Sequence, residues 1–126
     1  MHEKPAQRPT FDAFALFIRE VVGYPARKAI TPETLFENDM GVTGDDGVDL
    51  LEATEKRFNA DWTDFRTVFN LKPDEYLFHG EGFGLFPLWE IGIGRKTSIR
   101  PFTVGELYAV VCRTIRAQSL RFNSKL

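Results

Sequence analysis

The sequence predicts a mainly α-helical domain: a four-helix bundle with an inserted loop or short β-hairpin over about residues 71–101. Three observations carry this. Apolar residues recur at three- and four-residue spacing in separate segments. Helix starts and stops flank them, with Thr10 and Thr103 ahead of apolar runs and Gly23 behind one. Residues that favour strands gather in the glycine-rich stretch after Leu71.

The elements follow in order. Residues 1–9 are polar and proline-containing and are expected to be a disordered lead-in to a single domain over 10–120, with a tail at 121–126. The first helix starts after Thr10. At 100° per residue, Phe11, Phe14, Ile18, Val21 and Val22 share a face opposite Asp12, Arg19 and Glu20. In "ITPETLF", Thr31 as cap and Pro32 at the first helical position predict one short helical turn. The second helix runs from Gly44 or Asp45 to about Phe58. Its inward face is Val48, Leu51, Thr54 and Phe58, with Leu50 at the margin, while Asp45, Asp49 and Glu52 form an outward stripe. "NADWTDFRTVFN" reads as a turn and a short helix in which Trp62, Phe65 and Phe69 close the core. "PLWEIGIG" and "TSIRPF" hold enough β-type residues for a hairpin, with a structured loop as the equal alternative. Thr103 and Glu106 form a capping box, and Phe102 and Leu107 a hydrophobic staple, for a last helix to about Ser119. Its face is Val104, Leu107, Tyr108, Val111 and Ile115.

Composition excludes several function classes. The 126 residues suit one domain, and the twelve Phe point to an aromatic core. A net charge of −2 gives no overall basic footprint for nucleic acid. No apolar run approaches the roughly 20 residues of a membrane span. A single Cys112 cannot form an internal disulfide and fits a reducing, cytoplasmic setting.

No motif carries a catalytic or metal site. In "DMGVTGDDGVDL", Asp39, Gly41, Thr43 and Gly44 occupy the first, third, fifth and sixth places of a calcium loop. The twelfth place, which needs a bidentate carboxylate, is Leu50. "GEGFG" at 80–84 and "GIGRKT" at 92–97 miss the spacings of dinucleotide and phosphate loops. His2 and His79 are isolated, and Cys112 sits at the edge of an apolar face where it packs rather than reacts. No cofactor, metal or catalytic residue is expected. A small enzyme using the glycine-rich insert is the weakest alternative.

Asp39 to Phe58 resembles the prosthetic-group region of acyl carrier proteins. "DMG" at 39–41 matches that family's Asp-Leu-Gly. "VDLLEATEKRF" at 48–58 matches its acidic helix, with Val48, Leu50, Ala53, Glu55 and Phe58 in family-like places. The likeness covers roughly 10–70 and 102–118, and the insert from Leu71 to Pro101 has no counterpart. It implies a carrier-like bundle that shows its acidic helix to basic patches on partner proteins. The serine that would carry phosphopantetheine is replaced by Gly44, which has no atom to modify. Thr43 has a hydroxyl one place out of register, and its simpler role is an N-cap accepting from the amide of Asp45 or Asp46. The "GDD" run is similar to a bacterial family of small carrier-like proteins without an assigned function.

Charge is polarised. Glu33 to Asp64 holds ten acids and two bases, a net −8, while Thr103 onward is net +3. Glu52 and Lys56 are placed for an i,i+4 pair. The expectation is a non-enzymatic interaction module without an attachment site. It would use Asp45, Asp46, Asp49 and Glu52 against a basic protein partner, in an oligomeric state the sequence leaves open. The rival is an active carrier modified at a non-standard residue such as Thr43.

Overall fold

The computed structural model describes residues 8–73, 75–78 and 98–124. Within them the protein is mainly helical: α1 (Phe11–Val22), α2 (Gly44–Phe58), a one-turn α3 (Phe65–Val68) and α4 (Val104–Ser124). Two residues of β1 (Glu75–Tyr76) pair with two of β2 (Ser98–Ile99). α1 packs on both α2 and α4.

α1 begins and ends on local chemistry. The Thr10 hydroxyl accepts from the Ala13 amide at 3.1 Å. Gly23 turns left-handed at φ 71°, and its amide donates to the Arg19 carbonyl. Phe14 and Ile18 are fully buried, but Val21 is 40% exposed. It is the penultimate residue of the helix, and the apolar stripe has rotated off the core by then.

The core is built of rings. Phe102 lies at its centre, 5.2 Å from the Phe36 ring, 5.9 Å from Phe69 and 5.7 Å from Phe78. These rings come from the loop before α2, the end of α3 and the start of the insert. Trp62 meets Phe69 edge-on at 5.0 Å, and its indole N–H donates to Thr114. Phe65 is half-buried beside Phe69. Phe58 lies against Phe14 and Phe17.

The start of α4 explains a departure from expectation. Residues 31–34 form a turn, not a helix: Thr34 N donates to the Thr31 carbonyl, and Thr31 N to the Thr34 hydroxyl. The carbonyls of Pro32 and Thr34 accept instead from the amides of Gly105 and Val104, both at 2.9 Å. With Glu106 N on the Thr103 hydroxyl and Leu107 N on the Thr103 carbonyl, all four leading amides of α4 are satisfied. The Glu106 carboxylate pairs with Arg100 at 2.5 Å, outside the expected box. α4 runs on to Ser124, past the expected end near Ser119, because no glycine or proline interrupts it. Gln118 also anchors this stretch by bonding Asp61 N and the Asn59 carbonyl.

Among the described residues the two ends of the insert are joined by a parallel pairing, Glu75 with Ser98 and Tyr76 with Ile99. Arg66 clasps its start by donating to the carbonyls of Lys72 and Glu75. "TSIRPF" thus supplies β2. "PLWEIGIG", "GEGFG", "GIGRKT", His79 and the lead-in to Gln7 lie outside the described residues.

Candidate functional site

The loop into α2 is a set of tight backbone turns. Leu35 N donates to the Asp39 carboxylate at 2.7 Å, and the amides of Asp39 and Met40 both donate to the Leu35 carbonyl. Gly41 is left-handed at φ 71°, and Val42 then turns into the core, 3% exposed. Asp39, first in the calcium-like pattern, therefore closes a turn. No group of three His, Cys, Asp or Glu among the described residues could hold a metal.

Thr43 is extended and exposed, and it makes no side-chain cap hydrogen bond. Its carbonyl, not its hydroxyl, accepts from Asp46 N at 3.1 Å, which corrects the expected cap. Gly44 opens the helix at φ 55°. A residue with a Cβ is disfavoured there by about 1–2 kcal/mol, so the glycine answers a backbone need that serine would not meet.

α2 turns Gly47, Leu50, Leu51, Thr54 and Phe58 inward. This corrects the expected face: Leu50 is 1% exposed and Val48 is 38% exposed. The rotation has a cause. Gly47 lies against the Phe78 ring, where a Cβ would stand 2.5 Å from ring carbons. A helix without a side chain at that point lets the ring settle on its backbone, and Leu50 follows inward while Val48 turns out.

Asp45, Asp46, Asp49 and Glu52 are all exposed, as expected, with Val48 beside them. Glu52 and Lys56 form no ion pair, so the stripe keeps its charge. Glu55 differs, accepting from Trp62 N at 3.3 Å. Beside the stripe is a cleft of about 250 Å³ with an apolar floor of Val21, Val22, Met40 and Leu50 and a rim of Asp46 and Asp49.

A second recess lies on the other side of the sequence polarity. Asp61, Thr67, Val68, Asn70, Arg113, Thr114, Ala117 and Arg121 line a groove of about 430 Å³ between α3 and α4. Arg113 donates to the Val68 carbonyl at 3.0 Å, which fixes its guanidinium at the groove edge. Hydrogen bonds from Thr63 hold the Asp61 carboxyl below its usual range, with Arg121 adding attraction. The sequence reading missed this groove. Its signal was Arg113, Ala117 and Arg121 at four-residue spacing, two cations around a small residue.

Cys112 is half-buried, at the edge of the α4 face. Burial, then its contact with Cys112, pushes the Tyr108 hydroxyl up from its ordinary value, and that hydroxyl donates to the Pro9 carbonyl. No helix among the described residues is long and apolar enough to cross a membrane. Comparison with protein-family models, curated proteins and solved structures finds no match.

Proposed function

We propose that the protein is a non-enzymatic, acyl-carrier-like interaction module that presents the acidic face of α2 to a basic protein partner and carries no prosthetic group. The observation that bears most weight is the exposure of Asp45, Asp46, Asp49 and Glu52 without ion pairs among the described residues, next to an exposed Val48. A charged stripe with an apolar contact beside it suits association, where unlike potentials steer the encounter and fix register. The helical content and the order of loop, acidic helix, short helix and last helix are compatible with a carrier-like bundle. The single Cys112 suits a reducing cytoplasm.

The test reverses two charges. Asp49→Lys with Glu52→Lys should leave Tm nearly unchanged, since exposed charges contribute on the order of 0.5 kcal/mol each. A pull-down from native lysate should lose the wild-type partner with this variant, and wild-type capture should fade as salt rises. Equal capture by both proteins at both salt levels would reduce the stripe to a solvated face.

The absence of an attachment point has its own test. Incubation with a phosphopantetheinyl transferase and coenzyme A should leave the intact mass unchanged. Gly44→Ser should be labelled poorly, because the left-handed backbone at φ 55° opposes a serine there. A pantetheine-sized mass increment on the wild type would establish the rival reading, a carrier modified at Thr43 or elsewhere.

A further inference from the structure

We propose that the groove between Arg113 and Arg121 receives the acidic stripe of α2 from a second copy of this chain, so that the protein docks on itself head to tail. The inference rests on the reading of α2 as an interaction surface and names its partner.

Two surfaces of opposite charge lie on different helices of one molecule. The acids sit on α2, and Arg113, Ala117 and Arg121 run along α4. Their dimensions agree. Asp45 and Glu52 are seven residues apart, about 10.5 Å along a helix, and Arg113 and Arg121 eight apart, about 12 Å. The groove also has room: about 430 Å³, with Ala117 and Val68 in its apolar lining. Val48, exposed beside the acids, supplies an apolar group of a size to cover that lining. Arg113 is already positioned by its bond to the Val68 carbonyl, so little side-chain freedom is lost when a carboxylate arrives. Asp61 on the same rim opposes an incoming acid. Neutralising it should therefore tighten the contact.

Because the two surfaces differ, each docked pair leaves one of each kind open, and assembly grows with concentration unless a ring closes. Sedimentation velocity on the full chain should show mass rising with concentration at about 0.01 M salt and the monomer at about 1 M, where the Debye length falls from about 30 Å to about 3 Å. Asp49→Lys with Glu52→Lys should abolish the heavier species, as should Arg113→Glu with Arg121→Glu. An equimolar mixture of the two variants should restore a heavier species, since each retains one native surface and the reversed pair is itself complementary. That rescue also shows both variants folded. Asp61→Asn should move association to lower protein concentration. A wild type that stays monomeric at low salt up to its solubility limit, or a mixture that fails to associate although each variant keeps its helical circular dichroism, overturns self-docking. If the wild type is monomeric yet the α2 variant still loses its lysate partner, self-docking fails and the interaction-module reading stands. If neither mass nor capture responds, both fall.

Discussion

Phe102→Ala is expected to destabilise the protein by about 3–5 kcal/mol, the usual cost of deleting a buried aromatic ring. Phe102 is 3% exposed and touches the rings of Phe36, Phe69 and Phe78. Its removal leaves a void bordered by three elements, of which the loop and the insert also meet ring to ring through Phe36 and Phe78. The backbone there is also constrained: the Phe102 carbonyl accepts from Phe36 N, and the next residues bind the 31–34 turn. The site therefore cannot collapse easily, which places the cost toward the upper end of the range. Tm should fall by about 10–20 °C, taking an intermediate sensitivity for a chain of this size. Leu16→Ala is the control: Leu16 is 58% exposed, and its loss should lie within about 0.5 kcal/mol. Thermal melts of the two variants decide the matter. Similar small losses would mean that Phe102 does not tie these elements together.

The same residue bears on function. Phe36 precedes the loop that ends at Thr43, so the ring cluster holds one end of that loop while α2 holds the other. A weakened cluster should loosen the approach to α2 before it melts the helix itself, since Leu50, Leu51, Thr54 and Phe58 keep their burial against α1 and the remaining core.

What could be read from the sequence divides by the range of the interaction. Thr10, Gly23, Thr103 and the ends of α1 were legible because a cap acts on its own turn, and the span of α2 because its apolar period starts and stops with it. The acidic stripe was legible because exposure follows from helical period once the inner face is roughly known. The turn at Thr31 was misread because its carbonyls are taken by α4, some seventy residues on. No local pattern encodes that. Val48 and Leu50 were exchanged because a wheel counts apolar side chains and gives a glycine no weight, although Gly47 is where the core comes closest. The parallel pairing of β1 and β2 joins residues 75 and 98, beyond any hairpin rule. Of the α3–α4 groove only one wall shows in the sequence, as Arg113, Ala117 and Arg121 at four-residue spacing, because the other wall comes from a separate helix.

Gly47→Ala is the second change expected to have a large effect, and its sign runs against helix propensity. On an exposed helical position alanine would stabilise by about 1 kcal/mol relative to glycine. Here the added Cβ would stand 2.5 Å from two carbons of the Phe78 ring and 2.8 Å from a third. Phe78 is fully buried and packed against Phe36 and Phe102, so it has no solvent side to retreat to. Either the ring leaves its rotamer or α2 moves outward. Overpacking of this kind costs about 1–3 kcal/mol, enough to outweigh the propensity gain. With no solvent side for the ring the cost falls in the upper part of that range, and a net loss of up to about 2 kcal/mol in urea melts is the expected result. Pairing Gly47→Ala with Phe78→Leu separates the causes. The smaller side chain frees the space a Cβ needs, so the double variant should be less destabilised than the sum of the two single changes, a coupling of about 0.5–3 kcal/mol. Strict additivity would place the cost of Gly47→Ala in the backbone rather than in contact with Phe78. It would also remove the physical reason for α2 turning Leu50 inward and leaving Val48 among the acids.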